Sequence, residues 1–99
     1  MAVVYITEHP LQTVSYGNLL PVVKMPPLAT QTVAIGAGSI QSSAFNASTK
    51  LICIHTDAIC SVEFGSSPTA TSSSRRLAAN STEYFEVASS SKVAVITNT

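Results

Sequence analysis

Two cysteines, a histidine and an aspartate lie close together in the middle of the chain, as Cys53, His55, Asp57 and Cys60. Cysteine and histidine are common zinc ligands, but zinc sites usually take closely spaced pairs from two places, and only one such pair is present. The two thiols could instead form a cross-strand disulfide. Because the N-terminus does not resemble a secretory signal, we favour two buried thiols that fill the core.

The remaining catalytic patterns are incomplete. His55 and Asp57 have the spacing of some metal or acid-base pairs, but a strand-end histidine followed by an aspartate that caps its own turn explains them more simply. A serine nucleophile needs a nearby base and a sharp turn such as Gly-x-Ser-x-Gly, which the chain lacks. We therefore expect no enzymatic activity, and we assign no catalytic, cofactor-binding or metal-binding residue.

Two further motifs suggest ligands at first sight. Gly36-Ala37-Gly38 follows an apolar strand, as in a dinucleotide fingerprint, but the third glycine position holds Gln41 and no amphipathic helix follows. This motif therefore predicts a turn. The tyrosines could stack on sugar rings, but the chain has no Trp, and tyrosines at a strand edge or a protein interface are the favoured interpretation for Tyr5, Tyr16 and Tyr84.

The elements that must position these side chains are β-strands. Apolar and polar residues alternate with period two, and β-branched residues are frequent. Six to eight short strands in 99 residues predict one small all-β domain, either a β-sandwich or a small barrel. The predicted strands are Ala2–Thr7, Gln31–Ala37, Leu51–Thr56, Ala58–Phe64, Glu83–Val87 and Lys92–Thr97, with weaker ones near Leu19–Lys24 and Arg76–Ala79.

The segment Leu51–Phe64 is the best-defined candidate hairpin. A two-residue turn at Thr56-Asp57 would place Cys53 opposite Cys60 on the core face, together with Leu51, His55, Ala58 and Val62. Ile52, Ile54 and Ile59 would then face away from this core. The last strand, Lys92–Thr97, is also apolar on both faces, which predicts a central position in its sheet or a subunit contact.

Prolines divide the chain into two parts. Pro21, Pro26 and Pro27 lack the donor that a central strand needs, so we expect residues 1–30 to form an extended N-terminal arm or edge segment. Residues 31–99 would form the sandwich itself.

The composition excludes two classes of function. Charged residues make up only 10% of the chain, and five basic residues balance five acidic ones. Nucleic-acid binders need clustered basic residues, and a spanning helix needs about 20 consecutive apolar residues, neither of which the chain has. We therefore expect no nucleic-acid or membrane partner. A net charge near zero favours association, so a homo-oligomer is expected.

The second half of the chain carries a series of short motifs. They are a strand ending in Phe-Gly, a Pro-Thr-Ala-Thr turn, a Leu-centred strand, a Tyr-Phe strand and a final Lys-Val-Ala-Val-Ile strand. They cover His55–Gly65, Pro68–Thr71, Arg76–Asn80, Glu83–Val87 and Lys92–Ile96, and more weakly Met25–Thr30. In this pattern the chain resembles small β-rich proteins encoded among the structural genes of tailed bacteriophages. The resemblance implies a virion component, such as a capsid decoration or cement protein, with a jelly-roll-like sandwich and no cofactor.

The residues and the resemblance together predict a non-enzymatic virion protein that is assembled in the host cytoplasm. Its partners would be the major capsid protein or other virion proteins. The alternative is a small binding module that recognises a host-surface glycan or receptor. The residues expected to make contacts outside the monomer core are Val3, Tyr5, Leu19, Leu20, Val22, Val23, Met25, Ile52, Ile54 and Ile59.

Overall fold

The computed structural model describes residues 2–10 and 26–98, and the backbone of residues 14–15 and 18–19. All regular structure in these ranges is β-strand, and none of them holds a helix that could cross a membrane. The strands are β1 (Val3–His9), β2 (Val14–Ser15), β3 (Asn18–Leu19), β4 (Ala29–Ala34), β5 (Ile40–Gln41), β6 (Leu51–Thr56), β7 (Cys60–Gly65), β8 (Arg75–Leu77), β9 (Thr82–Glu86) and β10 (Lys92–Thr97).

Two antiparallel sheets of four strands pack against each other. The first sheet has the order β4-β1-β6-β9 and the second the order β5-β10-β7-β8, while β2 pairs with β3. The pairs β7–β8, β6–β9 and β5–β10 are nested in sequence, as when a long hairpin wraps around itself, and β1 pairs with β4 beside them. This nested order is that of a jelly roll. The predicted all-β sandwich is thereby confirmed.

The core lies between the sheets and follows the period-two side-chain alternation of the strands. Val4 and Ile6 of β1 and Ile52 and Ile54 of β6 meet side chains from the second sheet. Burial of each such aliphatic side chain contributes roughly 1.5–3 kcal/mol. The buried cluster comprises Val4, Ile6, Val33, Phe45, Ile52, Ile54, Cys60, Val62, Leu77, Val93 and Val95.

The predicted hairpin Leu51–Phe64 is wrong. β6 pairs with β1 and β9 in the first sheet, and β7 pairs with β8 and β10 in the second, so the chain crosses between sheets after Thr56. Cys53 consequently lies opposite Thr7 and Tyr84, not opposite Cys60. Because the segment is apolar at both odd and even positions, its pattern did not identify which face meets the core.

The prediction that residues 1–30 form an arm or edge segment is also wrong for the residues of β1. β1 lies in the interior of the first sheet, between β4 and β6, and pairs with both along its length. Residues 3–9 are therefore part of the sandwich. Proline argues against a central strand only in the segment after His9, because Pro10 is the first proline in the chain.

The loop of residues 66–74 covers the outer face of the second sheet. Its backbone is held at Ala70 N, which donates to Ser39 Oγ at 2.9 Å, and at Pro68 O, which accepts from Gln41 Nε2 at 2.8 Å. Beneath the loop, Ala94 of β10 is 0% exposed. β10 lies in the interior of its sheet, which is the first of the two positions predicted for it, and Val93, Ala94 and Val95 are buried within one chain.

Candidate functional site

The outer face of the first sheet carries an uncharged group of aromatic, hydroxyl and thiol side chains. Strand register places Tyr5 between Thr32 and His55, and Cys53 between Thr7 and Tyr84. Side chains of one strand alternate between faces, so these residues form two adjacent rows on the side away from the core. We call this surface the tyrosine face, composed of Tyr5, Thr7, Thr30, Thr32, Cys53, His55, Thr82 and Tyr84.

The two tyrosines are the most exposed large side chains on this surface. Tyr5 is 46% exposed and Tyr84 is 57% exposed. Tyr5 sits on β1 and Tyr84 on β9, with β6 between them, so strand spacing and rise put their Cα atoms roughly 12 Å apart. Both rings are therefore open to the same partner.

His55 is held in place between its neighbours. Its ring centroid lies 6.3 Å from that of Tyr5, at an interplanar angle of 40°. Its Nδ1 is 2.8 Å from Thr82 Oγ1, at hydrogen-bond distance. An aromatic neighbour on one side and a hydroxyl on the other thus orient the imidazole on this face.

The two thiols have different environments. Cys60 is buried between the sheets, and burial raises the pKa of its thiol, an effect partly opposed by a hydrogen bond with Thr56. Cys53 is half-buried beside Tyr84, and the negative charge of its thiolate raises the pKa of the Tyr84 phenol, with a side-chain hydrogen bond and burial adding to the effect. Both cysteines are free thiols, but only Cys60 fills the core, so the prediction of two buried core thiols is wrong for Cys53.

Cys53 and His55 lie on one face, as the sequence predicted, but that face is the solvent side of the sheet. In the turn that follows, it is Thr56 whose hydroxyl binds the backbone, donating to Ala58 O at 2.6 Å. Asp57 contributes its backbone N, which donates to Val3 O at 3.2 Å. Across the described ranges, no three His, Cys, Asp or Glu side chains are grouped closely enough to hold a metal ion.

The residues predicted to contact a partner have different environments in the structure. Ile52 and Ile54 are 0% exposed in the inter-sheet core, so they cannot reach a partner and that part of the prediction is wrong. Val3 and Ile59 are half-buried, and Tyr5 belongs to the tyrosine face. For Leu19 only the backbone, in β3, is described. Leu20, Val22, Val23 and Met25 lie outside the described residues.

One buried group was not identified from the sequence. Glu8 is 2% exposed on the core side of β1, where it accepts hydrogen bonds from Asn46 N at 2.7 Å, Thr49 Oγ1 at 2.7 Å and Gln31 Nε2 at 3.4 Å. Its spacing could have identified it, because Glu8 continues the series Val4 and Ile6 at every second position and so shares their core-facing side of the strand. This glutamate ties β1 and β4 to the loop between β5 and β6.

Comparison with known proteins found no match among protein-family models, curated proteins or solved structures.

Proposed function

We propose that this protein is a non-enzymatic assembly protein that binds a partner protein through the tyrosine face. The observation that carries the proposal is the exposure of Tyr5 and Tyr84 on one uncharged sheet face. Tyrosine is enriched and charge is depleted at the centres of protein interfaces, where a few aromatic side chains supply much of the binding free energy. A four-stranded sheet presents these rings without a large loss of conformational entropy.

The size of the face indicates its role within a larger contact. Two rows across four strands cover roughly 260 Å², from the strand spacing and the rise per residue. A standard interface buries about 800 Å² on each partner. The tyrosine face would thus form the centre of the interface, surrounded by contacts from the neighbouring rows and loops.

The setting we propose is a virion. The strand pattern of the second half resembles structural proteins of tailed bacteriophages, among which small sandwiches decorate or cement the capsid. The partner would then be the major capsid protein or another virion protein, and the protein would be located in the virion. The apolar residues at the centres of β6 and β10 do not support this proposal, because one chain buries Ile52, Ile54, Val93, Ala94 and Val95 by itself.

A second candidate function has a specific observation in its favour. Exposed tyrosine rings flanked by Thr30, Thr32 and Thr82 could stack on sugar rings and hydrogen-bond to their hydroxyls. The protein would then be a binding module for a host-surface glycan or receptor.

The test compares the wild-type chain with the double variant Tyr5→Ser, Tyr84→Ser. Particles from cells that produce the chain are purified on a density gradient, and circular dichroism checks that the variant is folded. We expect the wild-type chain in the particle fraction and the double variant in the soluble fraction. The control is Thr69→Ser, an exposed position in the loop on the opposite sheet, which should remain with the particles.

Two results would contradict the proposal. One is a wild-type chain that is absent from purified particles, and the other is a double variant that is bound to them as well as the wild type. Binding of the soluble wild-type chain to a glycan array, lost in the double variant, would favour the binding module instead.

A further inference from the structure

The two sheets end in four edge strands, and these edges differ in how they are protected from pairing with another chain. Edge strands are commonly shielded by charge, by proline or by shortness. β5 has two residues and β8 has three, including Arg75 and Arg76. β9 carries Glu83 and Glu86, and Glu83 forms an ion pair with Arg75 at 2.6 Å. Each of these three edges therefore has at least one protective feature.

β4 has none of these features. Its sequence, Ala-Thr-Gln-Thr-Val-Ala, spans six residues without a charge or a proline. It pairs with β1 on one side, and no strand in the described part of the chain pairs with its other side. A strand of this length with an open, uncharged edge favours pairing with a further strand.

The register identifies which backbone groups are free on this edge. Ile35 N donates to Ala2 O at 3.1 Å, so the hydrogen-bonded pairs with β1 fall at odd positions of β4. The N–H and C=O groups of Thr30, Thr32 and Ala34 consequently point away from β1. Thr30 and Thr32 also have exposed side chains.

Exposed apolar side chains accompany the same edge. Of the four large hydrophobic residues exposed in the described ranges, Leu28 directly precedes β4 and Ile40 lies on β5, the neighbouring edge of the second sheet. They are 39% and 42% exposed. The other two, Tyr5 and Tyr84, belong to the tyrosine face. The β4 edge thus combines free backbone groups with apolar surface.

We infer that β4 pairs with β4 of a second copy, forming an antiparallel dimer about a two-fold axis at Thr32. In this register Thr32 faces Thr32 of the other copy, and Thr30 faces Ala34 in both directions. Each of these three pairs exchanges two N–H···O=C bonds, which uses all the outward groups of the edge. Adjacent threonine side chains are favourable cross-strand pairs, and a chain of formal net charge zero has no overall repulsion from its copy.

A second copy fits better than an unrelated strand because the edge is self-complementary. The sequence reads Thr, Thr, Ala along the outward positions, so antiparallel pairing about Thr32 places small side chains against each other throughout. The two first sheets would join into one continuous sheet of eight strands. The inference does not depend on the proposed function, since the contact is made by backbone groups of the β4 edge, which borders the tyrosine face at Thr30 and Thr32 and leaves Tyr5 and Tyr84 uncovered.

The test is a charge swap at the two-fold axis. Thr32→Lys and Thr32→Glu each place like charges opposite each other in a homodimer, which should raise its dissociation constant roughly tenfold or more. Mixing the two variants places opposite charges together and should restore the dimer. Analytical ultracentrifugation measures the mass, which should rise with concentration from the 10.3 kDa of the monomer toward twice that value for the wild type.

The control is Thr69→Lys, which makes the same change at an exposed position of the loop on the opposite sheet, outside both the β4 edge and the tyrosine face. This variant should dimerise as the wild type does. Amide hydrogen exchange gives an independent measurement, with protection of Thr30, Thr32 and Ala34 increasing as the protein concentration rises.

Three outcomes would overturn the inference. The first is a wild-type chain that stays monomeric at millimolar concentration, with fast exchange at these amides. The second is a dimer that persists in both single variants. The third is a mixture of Thr32→Lys and Thr32→Glu that fails to form a dimer although each variant gives the wild-type circular dichroism spectrum.

Discussion

Glu8 shows how a single buried charge organises one end of this sandwich. A buried carboxylate is costly unless donors surround it. Here Asn46 and Thr49 come from the loop before β6, and Gln31 comes from β4. Asn46 N and Thr49 Oγ1 both donate to the same oxygen, Oε1. The conformation of the loop therefore depends on Glu8, which lies more than 35 residues earlier in the chain.

We predict that Glu8→Gln lowers the free energy of unfolding by about 2 kcal/mol, which is typical of losing hydrogen bonds to a buried charged group. The amide is neutral, and one of its two polar atoms is a donor in a site that is surrounded by donors. Urea unfolding measures the change. Glu86→Gln, at an exposed position of β9, is the control and should change the free energy of unfolding by less than about 0.5 kcal/mol. Equal effects of the two substitutions would contradict this account of Glu8.

Tyr84 and Cys53 give a prediction that depends on pH. The Cys53 thiolate raises the pKa of Tyr84 because it repels the phenolate that would form beside it. Cys53→Ala removes this charge and the side-chain hydrogen bond, so the pKa of Tyr84 should fall toward the ordinary tyrosine value. Spectrophotometric titration of phenolate absorbance measures it, with a Tyr84→Phe variant subtracted to isolate this residue. A pKa of Tyr84 that is unchanged or higher in Cys53→Ala would show that the thiol does not act on it.

At the scale of elements, the loop of residues 66–74 covers the outer face of β10, for which the sequence alone left a subunit contact open. Asn98 connects this loop to the sheet, because its Nδ2 donates to Ser61 Oγ at 2.6 Å and to Ser72 O at 3.2 Å. Ser61 is fully buried under the loop. The loop also reaches β7 through Ser74 Oγ, which donates to Glu63 Oε1 at 2.9 Å.

We predict that Asn98→Ala lowers the free energy of unfolding by about 1–3 kcal/mol, because it leaves the buried Ser61 hydroxyl without this partner. It should also speed amide exchange at Ala70, whose N–H is held by Ser39. Combining Asn98→Ala with Ser61→Ala removes both partners and should recover part of the loss. No recovery in the double variant would show that Asn98 stabilises the loop by other contacts.

At the scale of the whole molecule, the position of β1 means that removing the N-terminal residues tests folding and not only assembly. Removing the first residues of an arm would affect assembly alone, but β1 is an interior strand that carries Val4 and Ile6 of the core. We predict that deletion of residues 1–9 prevents folding. The purified truncated chain should lack the amide dispersion of the wild type in NMR spectra. A folded, monomeric truncated chain would contradict the assigned topology.

The amino-acid sequence determined the fold class and most of the strand positions. Period-two alternation and β-branched residues fixed Leu51–Thr56 and Lys92–Thr97 at their observed bounds, because these preferences are local. Ala2–Thr7, Ala58–Phe64 and Glu83–Val87 differ from β1, β7 and β9 by one or two residues at their ends. Edge or interface positions were also predicted for the tyrosines, and Tyr5 and Tyr84 are indeed exposed on the outer face of the first sheet.

Only the tertiary structure decided which strands pair and which faces meet. Leu51–Phe64 looked like a hairpin because consecutive strands usually pair, yet its two strands lie in opposite sheets and Ile52 and Ile54 are in the core. Strand pairing depends on contacts between residues that are distant in the sequence. Where apolar residues occupy both odd and even positions, the pattern does not tell which face of the strand meets the core. The group around Glu8, the loop over Ala94 and the tyrosine face all follow from those pairings, so no local pattern could specify them.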